Sequence, residues 1–281
     1  MPNDTTPPQT GQARNRTPHA HLCQLDLVWE DRHANFRKVE QALDRADVHP
    51  GDLVVLPELF DSGFSLNTEH TRDKDRETLD FLLRLADDLA CTIHGSRTVR
   101  DCDCTHAENH ATIAAPGTAP GDSPDAEPRL LTSYAKIHPF TYGREPEAFV
   151  GGREVVTYPW QGLTICPAVC YDLRFPELFR RGLAMGAELF VIGANWPAPR
   201  QHHWRALAIA RAIENQAFVL AVNRVGSDPH LPYAGGSLAI DPKGEILAEG
   251  DERERVLSVP IEAEAVRTWR EEFPAWRDGR L

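Results

Sequence analysis

The sequence predicts an α/β fold in one domain, and three observations carry that reading. Continuous apolar runs such as Leu53-Val54-Val55-Leu56 mark strands buried on both faces, as in parallel or mixed sheets. Apolar residues at helical spacing recur between those runs. No linker divides the region after the first twenty residues, and 281 residues fit one large α/β unit.

In chain order, residues 1–20 are polar and proline-rich and are expected to form a disordered tail, with the ordered domain at 21–281. Residues 21–28 read as the first strand. Phe36, Val39, Ala42, Leu43 and Ala46 give residues 35–46 a helical spacing that ends at Pro50-Gly51. The run 53–56 is a strand stopped by Pro57. A helix over 77–90 and a strand over 91–99 follow. Residues 101–110 and 116–128 are rich in Asp, Pro, Gly and His and read as loops around a short strand at 111–115. Residues 130–134 are a strand, and 155–159 with 163–169 form a hairpin about Gln161-Gly162. Pro176 opens a helix to 185, as proline does at a first helical turn. A strand at 188–194, a helix at 204–216 and strands at 217–222, 236–240 and 255–260 complete the pattern, with a turn at Lys243-Gly244.

A net charge of −12 and the lack of any basic stripe argue against nucleic acid as a partner. No apolar run approaches a membrane span, and the leading residues lack the apolar stretch of a signal peptide, so a cytoplasmic setting is expected. The six cysteines fit neither a disulfide framework nor a zinc ribbon. Cys102, Cys104, His106 and His110 cluster in a polar loop, which reads as solvated rather than metal-binding. No metal and no cofactor are expected.

Three residues at the ends of apolar runs carry the chemistry. Glu58 follows the strand that Pro57 stops, and strand ends point into the usual crevice of α/β enzymes. Lys136 follows the strand at 130–134. Cys170 ends the run 163–169 and precedes a turn, whose backbone N–H groups are placed to meet a developing oxyanion. Singly, each has an ordinary reading: a loop carboxylate, a solvated lysine, a buried structural cysteine. Together a carboxylate, an ammonium and a thiol make an acyl-transfer site, because a thiol needs a base or cation nearby to become a nucleophile. His202 or His203 as the base of a different cysteine hydrolase, and a non-catalytic binding protein, are the other readings.

Leu56-Pro57-Glu58, Tyr134-Ala135-Lys136-Ile137-His138 and Cys170-Tyr171-Asp172-Leu173-Arg174-Phe175-Pro176-Glu177 resemble, in order and spacing, the signature segments of the nitrilase (carbon-nitrogen hydrolase) superfamily. Residues 60–65, 194–200, 210–216, 223–226 and 273–276 resemble its ω-amidase branch. The likeness runs from about residue 21 to 277. It implies a four-layer αββα sandwich and a homodimer or larger homo-oligomer. It implies a catalytic Glu58–Lys136–Cys170 triad acting on a small amide through a thioester, with the Tyr171 N–H at the oxyanion. It also implies a second glutamate, for which Glu145 fits the place and Glu147 is the alternative. A dicarboxylate monoamide substrate follows, with Arg200 or Arg174 for its far carboxylate and Phe64 and Trp196 as pocket walls. Another branch, such as a nitrilase, a carbamoyl-amine hydrolase or a deaminated-glutathione amidase, shares the triad. Pro139 and the long 116–128 loop depart from the family pattern near the pocket entrance. Arg211, Glu214 and Asn215 are expected to form a structural polar network.

Overall fold

The structure, a computed structural model, describes residues 16–100, 105–117 and 126–280. Strand β1 (His19–Gln24) leads to helix α1 (Arg32–Leu43), β2 (Leu53–Val55), the single turn α2 (Thr68–Thr71), α3 (Glu77–Leu89) and β3 (Thr92–Val99). Then come β4 (Glu108–Ala115), β5 (Arg129–Ala135) and the hairpin β6 (Tyr158–Trp160) and β7 (Leu163–Val169). Next are α4 (Pro176–Ala184), β8 (Leu189–Ala194), α5 (Gln201–Asn215) and β9 (Phe218–Asn223). The chain finishes with β10 (Val225–Ser227), β11 (Pro232–Ala234), β12 (Leu238–Ile240), β13 (Ile246–Glu249), β14 (Arg255–Pro260) and α6 (Ala263–Glu272).

Two six-stranded mixed sheets result, ordered β14-β1-β2-β3-β4-β5 and β13-β12-β9-β8-β7-β6. Each has three parallel strands at its centre, β1-β2-β3 and β7-β8-β9. Strand pleating explains the layering, because neighbouring side chains face opposite ways. Leu53 and Val55 enter the core between the sheets with Ile165, Val169 and Val191, whereas Val54 joins Val39, Phe81 and Leu82 beneath α1 and α3. The Phe36 and Phe81 rings stack at 4.0 Å across that outer layer. Phe179, Trp204, Ala208 and Ala212 of α4 and α5 cover the far face. The architecture is a four-layer αββα sandwich.

Several boundaries move. Helix α1 begins at Arg32, before the apolar spacing starts, because the Asp31 side chain accepts the Ala34 N–H at 2.9 Å and caps it. Strand β4 begins at Glu108, so residues 108–110, read as loop from their polarity, are strand. β6 begins at Tyr158 rather than 155. β13 and α6, largely exposed at the surface, are elements beyond those the sequence predicts.

Residues 1–15 of the expected tail lie outside the described residues, but 16–20 belong to the fold. The cause is Asp52, fully buried at the start of β2. Its carboxylate accepts from Arg16 Nη1 at 2.6 Å, the His19 N–H at 2.9 Å, His21 Nε2 at 3.0 Å and the His49 N–H at 3.0 Å. Burial alone would raise its pKa; the Arg16 guanidinium and the other donors outweigh this and hold it at about 2. A depressed carboxylate contributes stability above its unfolded value and loses it as pH falls through the folded one. Between about pH 4 and about pH 2, Asp52 is therefore expected to give up roughly 2 kcal/mol. Urea unfolding of the unmodified protein and Asp52→Asn at several pH values checks this: the stability gap should close on acidification, and a constant gap contradicts the assignment.

Candidate active site

Glu58 lies two residues beyond Leu56, just past the end of β2, Lys136 follows β5 directly, and Cys170 follows β7 directly. The two sheets thus deliver all three from strand ends. β8 presses close here: a Cβ on Gly193 would stand 2.9 Å from the Leu56 oxygen and 3.1 Å from the Glu58 nitrogen. Glycine is the residue that permits this approach.

Lys136 is the centre of the cluster. Its Nζ lies 2.8 Å from Glu58 Oε1, 3.0 Å from Glu145 Oε1 and 2.8 Å from Glu145 Oε2. All three groups are buried. Burial pushes the Lys136 pKa down, but Glu145 and Glu58 raise it above the usual lysine value, so it is charged. Burial acts to raise Glu58, and the Lys136 charge overcomes it, so Glu58 titrates below the usual range. Glu145 is raised, by burial first and by the Glu58 charge against the pull of Lys136. The pair behaves as two carboxylates sharing one cation.

Glu145 sits in a short 3-10 turn, Glu145–Glu147, and accepts the Phe140 N–H at 2.5 Å. The alternative, Glu147, is exposed and paired with Arg144 at 2.6 Å, away from the cluster.

Cys170 adopts a left-handed backbone, φ 45°, at the start of the 3-10 turn Cys170–Arg174. Such a conformation is strained for a residue with a Cβ and needs outside support. Asp172 supplies it. Its carboxylate accepts from the Tyr134 hydroxyl at 2.7 Å and from three further donors: the Val169 N–H at 3.0 Å, the His138 N–H at 3.0 Å and His138 Nδ1 at 2.7 Å. The Lys136 segment and the Cys170 turn are thereby tied together. From the other side, Arg211 Nε and Nη2 donate to the Leu173 oxygen at 3.1 and 2.8 Å, while its Nη1 meets Glu214. Asn215 donates to the Arg211 oxygen. Burial, then the Glu58 charge, lifts the Cys170 thiol well above its ordinary pKa, so the resting group is a thiol.

Cys170 opens into a cavity of about 760 Å³. Phe64, Trp196, Arg174, Arg200 and Tyr171 all line it. The Arg200 guanidinium rests over the Phe140 and Tyr142 rings at 5.4 and 5.7 Å. Arg174 lies 4.8 Å over Trp196 and donates to His203 Nδ1 at 3.3 Å. Among the described residues neither arginine has a carboxylate partner, whereas Arg144 at the same rim is paired. Trp196 is both wall and core: its backbone N–H meets Asn223 Oδ1 and its ring packs on Trp204. His202 and His203 do not line the cavity, and the titratable group against the Cys170 thiol is Glu58.

Two site residues escaped the sequence reading. Asn109 Nδ2 bridges Glu58 Oε1 at 2.8 Å and Glu145 Oε1 at 3.3 Å. The Asn195 N–H donates to Glu58 Oε2 at 2.9 Å, and the Cys170 thiol faces the Asn195 oxygen at 3.9 Å. Asn109 is buried inside a strand among polar neighbours, and the sequence carries no signal that sets it apart from a solvated loop residue. Cys102 and Cys104 lie outside the described residues. His110 bonds to Ser133 and Glu108, and no metal-ligand cluster occurs among the described residues.

Comparison with known proteins finds relatives over most of the chain. The family model described as Carbon-nitrogen hydrolase matches residues 20–271. An omega-amidase, YafV of Escherichia coli strain K12, is 36% identical over 259 residues, spanning 92% of this chain and 94% of that protein. A 2-oxoglutaramate amidase of Bacillus subtilis is 35% identical over 260 residues, spanning 92% and 95%. Among solved structures, a CN-hydrolase superfamily protein of Xanthomonas campestris with an arsenic adduct in its active site superposes with a TM-score of 0.84 at 35% identity, covering 95% of this chain and 98% of that one.

Asp172→Asn turns one of two acceptor oxygens into a donor that faces donors. We expect about 2–3 kcal/mol of lost stability by urea titration. A loss within the scatter of surface substitutions contradicts the role given to Asp172.

Proposed function

This chain belongs to the carbon-nitrogen hydrolase family, and from that premise we propose that it hydrolyses the terminal amide of a small dicarboxylate monoamide, such as 2-oxoglutaramate or 2-oxosuccinamate, releasing ammonia. One observation carries the substrate class. The cavity that Cys170 opens into also holds two guanidinium groups, Arg174 and Arg200, without carboxylate partners among the described residues, in a protein of net charge −12. Two guanidinium groups beside Cys170 suit an anionic ligand, while the Glu30 and Asp228 carboxylates of the same lining are held by the Ser65 and Tyr233 hydroxyls. The names of the relatives from Escherichia coli and Bacillus subtilis support the same reading.

In the mechanism, Glu58 takes the proton of the Cys170 thiol as sulfur attacks the amide carbon. The carbonyl electrons move to oxygen, which the Tyr171 N–H and Lys136 stabilise. Glu58 returns its proton to the leaving nitrogen and ammonia departs, leaving a thioester on Cys170. Water, deprotonated by Glu58, then attacks the thioester carbon, the C–S bond breaks, the proton on Glu58 returns to the Cys170 sulfur, and the acid is released. Glu145 holds Lys136 in register throughout. Because Cys170 rests as a thiol and Glu58 as a carboxylate, the proton moves only when the amide arrives. A positioned base of this kind contributes about 10²–10⁴-fold, and one oxyanion donor about 3–4 kcal/mol of barrier. Arg200 holds the far carboxylate, with Arg174 as the alternative, and Phe64 and Trp196 bound the pocket. Assembly as a homodimer or larger oligomer and a cytoplasmic setting are parts of the same proposal, carried by the family resemblance.

Cys170→Ala is expected to abolish ammonia release, and mass spectrometry of the unmodified protein with 2-oxoglutaramate to show an acyl adduct on Cys170. Turnover retained in the variant, or an adduct elsewhere, overturns the thioester mechanism. Arg200→Ala should raise KM for oxo-acid monoamides by about tenfold or more, in keeping with loss of a charged hydrogen bond, and leave neutral amides little changed. Equal effects on both would remove Arg200 from the site and point to Arg174.

A further inference from the structure

Lys136 is saturated. An ammonium has three hydrogens, and Nζ already has three carboxylate oxygens at 2.8–3.0 Å, one from Glu58 and two from Glu145. It has no hydrogen left for a developing oxyanion until one contact loosens. Transfer of the thiol proton to Glu58 does this, because a neutral carboxyl holds an ammonium far less strongly than a carboxylate does.

Glu58 then needs something else to hold it. Asn109 fills that need. Its two Nδ2 hydrogens go to Glu58 Oε1 and Glu145 Oε1, at 2.8 and 3.3 Å. Its Oδ1 accepts from Ser96 Oγ at 3.4 Å, and its backbone oxygen accepts the Lys136 N–H at 2.8 Å. The amide orientation follows from its neighbours, since two carboxylate oxygens require the NH₂ end. The side chain is buried in β4, between β3 and β5, and cannot swing away.

We infer that Asn109 is the positioning residue of this site: it holds Glu58 Oε1 as an acceptor through both protonation states. Oε1 has two close donors, Lys136 and Asn109, whereas Oε2 has one, the Asn195 N–H at 2.9 Å, so the proton from Cys170 lands on the open side of Oε2 and Lys136 is free to turn toward the substrate oxygen. In this step the S–H bond breaks, the sulfur electron pair forms the C–S bond, and the proton rests on Glu58 until it passes to the leaving nitrogen. A neutral amide suits the task because it donates without itself titrating. It also sets two carboxylates side by side without adding a charge. The inference rests on the proposed thioester reaction.

The test compares Asn109→Leu, Asn109→Asp and Asn109→Ser with the unmodified protein, using 2-oxoglutaramate across pH. Removing a donor from the charged form of Glu58 raises its pKa, so the acid limb of kcat/KM moves upward and activity is lost at a higher pH as the solution is acidified. We expect a shift of about one unit for Leu, more for Asp, which adds a third carboxylate, and less for Ser, which keeps one donor. kcat should fall about tenfold or more, with KM within about twofold. The rate of Cys170 alkylation by iodoacetamide should follow the same shifted limb, independent of turnover. If Asn109→Asp does not fold, the Leu and Ser pair decides, since neither adds charge. Acid limbs that coincide with the unmodified protein's, or a loss confined to KM, overturn the inference. Cys170→Ala run alongside separates the two claims: turnover retained there removes the thioester reaction itself, whereas an inactive Cys170→Ala with unmoved Asn109 limbs removes only the role of Asn109.

Discussion

Lys136 keeps its charge with only 1% of its surface exposed, and that constraint runs through the rest of the molecule. An ammonium taken out of water costs several kcal/mol unless closely placed acceptors replace its hydration. Here Glu58 and Glu145 do so, and each is buried as deeply as the lysine. None of the three is tolerable without the others. Glu58 comes from the end of β2, Lys136 from the end of β5, and Glu145 from a turn nine residues further on. The first sheet must therefore bring its strand ends together for the cluster to exist, and the second must close over them. The bare Gly193 backbone against Leu56 and Glu58 is where that closure happens.

Cys170 depends on the same arrangement by a different route. Cys170 stands on the second sheet with a backbone angle that side chains rarely adopt, and the turn that follows is tied on two sides. Asp172 binds it to the segment that carries Lys136, and Arg211 reaches from α5 to the Leu173 oxygen. Helix α5 is thus more than a cover for the sheet. The polar residues Arg211, Glu214 and Asn215 form the structural network expected of them, and its target is the nucleophile turn. Because burial and the Glu58 charge disfavour a thiolate, the site holds no reactive anion at rest.

Charge is distributed unevenly in a way that serves the cavity. The chain carries a net −12, yet the wall above Cys170 presents Arg174 and Arg200 on aromatic supports. Stacking on Phe140, Tyr142 and Trp196 orients the guanidinium planes without neutralising them. Phe140 serves two purposes, since its ring supports Arg200 and its N–H holds Glu145. The Arg200 support and the Glu58–Lys136–Glu145 cluster therefore share one residue.

The strands of the two sheets other than β13, the main helices and the residues Glu58, Lys136 and Cys170 were legible in the sequence. Burial leaves a local mark: apolar runs fix strands such as β2 and β7, and a reactive residue just beyond such a run stands out against it. Helix α1 began early because a single cap, Asp31, outweighed three residues without apolar character. Residues 108–110 read as loop for an instructive reason: Asn109 is polar because it faces two carboxylates, which local patterning cannot distinguish from solvent. The same limit applies to Asp52, Asp172 and Arg211, each buried and paired with groups far away in the chain. The sequence pattern by itself determined the α/β class, the order of most elements and the chemical types at the strand ends, and the resemblance implied the four layers. Only the tertiary structure decided which polar residues meet, which glutamate shares Lys136, and which arginines stay unpaired. Hydrophobic periodicity is set by near neighbours along the chain, whereas hydrogen-bond partners are set by the convergence of segments that the sequence holds far apart.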